Sequence, residues 1–268
     1  MLIIGENINA TSKRVAEAIK THNSAFLREL ISAQEAADYL DVNVGGGKGS
    51  TTQESEDMKW LVDIVCEATD KPIVVDSANP EVIEAGLEQS NQVAMINSVN
   101  AEKARLETVG PLVAQYHVDV IALVMDDNGI PSRVEERIRA CDLILEGLSR
   151  YNIPADKVYF DPLVLPIGVD NTQGRVTLKT LEQIKTRHPE AKTIVGLSNI
   201  SYGLPQRPII NDAFLLMLMY AGLDSVIVNP LHSSTIGSIR LGEMLLGKDV
   251  HCKKYLKAYR MGLYQEKH

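Results

Sequence analysis

Lys192-Thr-Ile-Val-Gly-Leu-Ser-Asn-Ile-Ser201 is the stretch whose reading decides the fold. Thr193 to Leu197 forms an apolar run of strand length and ends abruptly in Ser198, Asn199 and Ser201, so a buried strand delivers neutral hydrogen-bonding groups to a rim. The same grammar recurs along the chain. Ile73-Val74-Val75 runs into Asp76, Val93 to Ile96 into Asn97, Val118 to Met125 into Asp126, and Val158-Tyr159-Phe160 into Asp161. One such Asp, Asn or Ser reads most simply as a helix cap or a turn closure. Several of them, ending strands of one sheet at one face, read as a shared site.

Working outward, the spacing predicts strands over 2–6, 40–44, 72–76, 93–97, 118–125, 158–161, 193–197 and 225–229. Helical periodicity predicts helices over 11–20, 25–39, 52–68, 80–88, 101–116, 132–151, 175–187, 211–221 and 234–246. The strand ends fall at Glu6, Asn43, Asp76, Asn97, Met125, Asp161, Ser198 and Asn229. Eight βα units in 268 residues predict a TIM (β/α)8 barrel that fills residues 1–268 as a single domain. An open doubly wound sheet competes, but the place for its G-x-G-x-x-G turn holds Gly5-Glu6-Asn7-Ile8-Asn9.

Composition narrows the function classes. A formal net charge of −8 argues against a nucleic-acid partner, whose phosphates call for a concentrated basic surface. Three distant cysteines, Cys66, Cys141 and Cys252, match neither a disulfide framework nor a zinc site, so a reducing cytoplasm is expected. No run approaches membrane-spanning length. The longest, Phe214 to Tyr220, is expected as a helix buried on most sides, within the fold or against another subunit. Residues 248–268 read as a solvated amphipathic helix closing the barrel's bottom, with a docking surface for an acidic partner as the weaker reading. Gly45 to Thr51 invites a phosphate-loop reading, but Val42 and Gly49 break that motif, which leaves a loop at the rim.

The rim collected from the strand ends is Glu6, Asn7, Asn43, Asp76, Asn97, Asp126, Asp161, Ser198, Asn199 and Asn229. Carboxylates accept and carboxamides do both, so this set suits a heterocycle with a donor-rich edge, such as the 2-amino-4-oxo edge of a pterin. No H-E-x-x-H, Cys-x-x-Cys or G-x-S-x-G is present, so zinc hydrolysis and serine nucleophiles lack support and no metal ligands are assigned. Among the histidines only His232 falls near the rim, and a structural or surface role is expected for it. Asp76 and Asp161 could be drawn as a glycosidase pair, which the neighbouring amides argue against.

Six fragments in order carry a family resemblance: Leu2-Ile3-Ile4-Gly5-Glu6-x-Ile8-Asn9, Asp41-Val42-Asn43-Val44-Gly45, Asp76-Ser77-x-Asn79, Met95-Ile96-Asn97-Ser98, Asp161-Pro162-Leu163 and Gly196-Leu197-Ser198-Asn199-x-Ser201. Together they resemble the methyltetrahydrofolate:corrinoid protein methyltransferases. The resemblance implies a pterin-binding barrel, usually a homodimer, that moves a methyl group between N5 of tetrahydrofolate and the cobalt of a corrinoid (cobalamin) carried by a partner protein. By position, Asp76, Asn97 and Asp161 would hold the pterin edge, Asn199 would hydrogen-bond N5 as the catalytic group, and Gly196 and Ser198 would line the pocket. The pattern departs at Tyr202, where some relatives have Gln, and at Gly45-Gly46-Gly47. The direction of transfer stays open. Dihydropteroate synthase is the enzymatic alternative, although Leu197-Ser198-Asn199 and Asn229-Pro230-Leu231-His232 stand where that family carries its pyrophosphate-holding cations. A non-catalytic module that binds a pterin or a corrinoid protein is the other class.

Overall fold

A computed structural model describes residues 1–45 and 50–264, so the readings of 46–49 and of 265–268 lie outside the described residues. Eight parallel strands pair in chain order: β1 (Leu2–Asn9), β2 (Tyr39–Asn43), β3 (Ile73–Asp76), β4 (Val93–Val99), β5 (Asp119–Leu123), β6 (Val158–Asp161), β7 (Lys192–Gly196) and β8 (Ser225–Val228). β8 pairs back onto β1, which closes the expected barrel. Helices α1 (Lys13–Lys20) and α2 (Ser24–Ala33) follow β1. Then come α3 (Thr51–Ala68), α4 (Pro80–Gln89), α5 (Lys103–Tyr116), α6 (Val134–Ser149), α7 (Gln173–Arg187), α8 (Arg207–Tyr220), α9 (Ser233–Leu245) and α10 (Lys253–Arg260).

Strand alternation sorts the core into two parts. Ile4, Val74, Met95, Ile121, Tyr159 and Ile194 point inward and form one buried layer across the barrel. Ile3, Ile73, Val75, Ile96, Phe160 and Val195 point outward and pack beneath the helices. The period of two has a direct consequence for function. Two residues beyond the inward layer lie Glu6, Asp76, Asn97, Asp161 and Gly196, so the same pleat that fills the barrel aims these groups into its mouth.

Several boundaries differ from the sequence reading. The helix expected over 25–39 stops at Ala33, because Tyr39 already pairs with Ile4 and Asp38 accepts the Ile3 N–H at 2.8 Å. β1 runs on to Asn9 through an irregularity between Gly5 and Ile8. β5 ends at Leu123 rather than Met125, and β7 at Gly196 rather than Leu197. Leu197–Ser201 winds into a 3-10 turn, which lifts Ser198 and Asn199 off the strand axis. α8 buries Phe214, Leu215, Leu218 and Met219, yet Met217 is 53% and Tyr220 80% exposed. Within the fold it is therefore buried on one side. α10 packs against α9, where its Lys254 meets the buried Glu243, which also accepts from the Met1 amine at the foot of β1.

Candidate active site

The barrel mouth is wired by side chains of β2. Asp41, only 2% exposed, accepts the Asn97 Nδ2–H at 3.2 Å, and Asn43 donates from Nδ2 to Asp76 Oδ2 at 2.9 Å. Asp76 and Asn97 are themselves register partners on β3 and β4. Asp161, at the end of β6, accepts the Leu163 N–H on Oδ1 at 2.8 Å and lies close enough to the Gly196 amide on β7 to feel it. Thus Asp76 meets Asn97, and Asp161 meets Gly196. Where β8 meets β1, Asn7 donates to Asn229 Oδ1 at 2.9 Å. Asn199 is exposed, its amide lies over Gly196, and among the described residues no group hydrogen-bonds its side chain.

Burial sets the electrostatics of this cluster. It raises Glu6 to about 7, against the pull of the Arg207 guanidinium. It also raises Asp41 well above the usual carboxylate range, with the charges of Asp76 and Glu6 adding to the effect and the Asn97 hydrogen bond opposing it. Asp76 rises through burial, held back by Asn43 and the charge of Arg105. Asp161 rises to about 6 through burial, opposed by the Leu163 and Gly196 amides and by the charge of Arg137. Carboxylates that are desolvated yet fitted with N–H donors are prepared to accept hydrogen bonds from a ligand that brings its own donors.

Three arginines behind the rim escaped the sequence reading. Arg105 on α5 donates to the carbonyls of Ser98, Ala78 and Ser77 at 2.8, 2.6 and 2.9 Å, which ties the ends of β3 and β4 together. Arg137 on α6 is fully buried and donates to the carbonyls of Pro131, Pro162 and Leu163 and to Gln173 Oε1. It braces the turn that follows Asp161, where Leu163 adopts a positive φ of 60°. Arg207 donates to Ser201 Oγ and the Ser198 carbonyl, fixing the turn that carries Asn199. A signal for Arg137 existed. It sits between Val134 and Cys141 on the apolar stripe of its helix, where a cation has no solvent to face.

Two cavities open on the β1, β7 and β8 side of the mouth. The larger holds about 450 Å³ and the smaller about 300 Å³, and Glu6, Ser198 and Asn229 line both. Asp76, Asn97 and Asp161 line neither. Asp126 closes its own turn, its Oδ1 accepting the Asn128 N–H at 2.8 Å. His232 is exposed and touches Asn229 at 3.4 Å. Among the described residues no group of three or more His, Cys, Asp or Glu is arranged to hold a metal ion.

Comparison with known proteins adds a lineage to this geometry. The family model of pterin binding enzymes matches residues 5–229. The methylcorrinoid:tetrahydrofolate methyltransferase of Eubacterium limosum is 32% identical over 266 residues, covering 98% of this chain and 97% of that protein. The methionine synthase of Mycobacterium tuberculosis is 30% identical over 253 residues; that match takes in 88% of this chain but only 21% of the much longer synthase. Among solved structures, a dihydropteroate synthase from Clostridium difficile with pteroic acid superposes with a TM-score of 0.72 at 17% identity, covering 91% of this chain and 96% of that one, a likeness of fold alone.

Proposed function

This chain belongs to the family of pterin-binding enzymes, and we propose that its mouth binds the head of a reduced folate for methyl transfer. The protein is a methyltransferase that moves a methyl group between N5 of tetrahydrofolate and the cobalt of a corrinoid protein. The observation that carries this conclusion is the likeness, over almost the whole of both chains, to the Eubacterium limosum enzyme named for that reaction. The dihydropteroate synthase alternative keeps only a shared fold.

In this reading Asp76, Asn97 and Asp161 accept and exchange hydrogen bonds with the amino and ring N–H groups of the pterin edge, and Gly196 and Ser198 line the space beside it. Asn199 is the catalytic group. Its unpartnered amide hydrogen-bonds N5 and stabilises charge as it develops there, which makes N5 a better leaving group in one direction and a held nucleophile in the other. The corrinoid reaches the mouth on its partner protein and supplies or accepts the methyl group. We further place residues 1–268 in one domain and the protein in a reducing cytoplasm, which its three unpaired cysteines support. The exposed Met217 and Tyr220 of α8 support a homodimer with that helix at its interface.

Anaerobic incubation with methyltetrahydrofolate and reduced corrinoid protein, followed by the loss of Co(I) absorbance, tests the activity. Methyl transfer in neither direction, by protein shown to bind tetrahydrofolate, would reduce the chain to a binding module.

A further inference from the structure

The larger cavity, about 450 Å³, extends beyond every residue given a role in pterin binding except Ser198. Its walls change character from one end to the other. At the inner end are Glu6, Ser198 and Asn229, which it shares with the smaller cavity. One flank is apolar, formed by Val15 of α1 with Phe26 and Leu30 of α2, the last two only half-buried. At the outer end stands Arg14, exposed, with its guanidinium 5.0 Å from the centre of the Phe26 ring. Among the described residues no carboxylate pairs with Arg14, in a chain with a net charge of −8. The rest of the lining, Asn7, Asn9, Thr11 and Ser12, is polar. A slot with one apolar flank that includes an aromatic ring, polar groups opposite and an unpaired cation fits a flat aromatic amide bearing an anionic tail.

Reduced folate carries such a group. Its aminobenzoyl-glutamate arm leaves the pteridine at C6, the ring atom next to N5. Resting on the proposed pterin site, the direction of that arm follows from the strand order. Asp76, Asn97 and Asp161 hold the pyrimidine edge from β3, β4 and β6, while Asn199 meets N5 from the turn after β7. C6 therefore faces the β7 end of the mouth, and β8 and β1 come next around the closed barrel. Ser198 and Asn229 lie there, at the inner end of the cavity.

We propose that the cavity between the β1–α1 segment and α2 is the subsite for the folate arm, with Phe26 and Leu30 against the benzoyl ring and Arg14 on the glutamate carboxylates. The Arg14 guanidinium already lies against the Phe26 ring, so an arriving carboxylate finds its charge partner in place. This subsite distinguishes a folate from a simple pterin and does not touch the reacting nitrogen.

The test compares binding of tetrahydrofolate and of 6-methyltetrahydropterin, which lacks the arm, by calorimetry on the full chain and on Arg14→Gln and Phe26→Leu. Wild-type protein is expected to prefer tetrahydrofolate. Arg14→Gln is expected to weaken it about three- to tenfold, the range of a partly exposed charged pair, with less effect at high salt. Its affinity for the methylpterin should not change. Phe26→Leu should lower the affinity for tetrahydrofolate and not for the methylpterin, at every salt concentration. If wild-type protein binds the two ligands equally, or Arg14→Gln leaves tetrahydrofolate binding unchanged, the subsite is overturned and the pterin site stands. If neither ligand binds, the pterin site falls and the subsite with it.

Discussion

Asp161 shows what a single residue can and cannot reveal before its surroundings are known. Its place after Val158-Tyr159-Phe160 marks it as a rim group, but its usefulness depends on staying ionised while buried. Burial lifts it to about 6, and Arg137 holds it from rising further. A carboxylate that accepts pterin N–H donors should then bind poorly below that value and better above it. Tetrahydrofolate affinity is expected to rise through about pH 6, with proton release on binding in the acid range, measurable by titration in buffers of different ionisation enthalpy. Asp161→Asn should weaken binding and abolish that acid limb. Arg137→Met should move the limb to higher pH, whereas a purely structural loss would lower the melting temperature and leave the limb in place. At Asn199 the expectation concerns rate. Asn199→Ala should slow methyl transfer by roughly 10²-fold, the usual cost of one oriented donor, and unchanged turnover in folded protein would remove it from the mechanism.

Among the elements, α4 packs against β3, the strand that ends in Asp76. Asn79 caps it by accepting the Glu81 N–H at 3.0 Å, and Pro80 supplies the first-turn geometry. Its Gly86 lies so close to β3 that an added Cβ would stand 2.9 Å from Val75 Cγ2, one residue before Asp76. Gly86→Ala should therefore destabilise the protein by about 1–3 kcal/mol, as overpacking of a filled core does, and a chemical denaturation curve measures it. The variant should also loosen pterin binding, since β3 must shift to make room. The 3-10 turn after β7 is the counterpart on the other side. The apolar run of the sequence places Leu197 in the strand, whereas Leu197 opens the turn, which Arg207 holds by donating to the Ser198 carbonyl.

For the molecule as a whole, gathering carboxylates at one end of the barrel has a cost that pH exposes. Glu6, at about 7, and Asp161, at about 6, keep protons in the folded state that, at their ordinary values of 4.5 and 3.8, the unfolded chain has released. Their contribution is fully present below about pH 4 and is lost as pH rises through 6 and 7. Glu6→Gln should accordingly gain melting temperature relative to wild type as pH is raised from 5 to 8. A difference that does not vary with pH would show that Glu6 is not held protonated.

Much of this molecule was legible in the order of its residues. Eight apolar runs with polar ends, separated by helical periodicity, specify a parallel barrel. The period of two in each strand sends Asp76, Asn97, Asp161 and Gly196 to the same face as the inward core layer. Such signals are local, since hydrophobic pattern and turn chemistry act over a few residues, and a sequence displays them directly. What the tertiary structure alone decided was which groups meet. It placed Asp41 under Asn97, Arg137 behind Asp161, Arg207 under the Asn199 turn, and Arg14 with Phe26 at the end of an open slot. These contacts join residues from different turns of the barrel, and their energies depend on burial and distance. Neither quantity exists until the last strand has closed on the first.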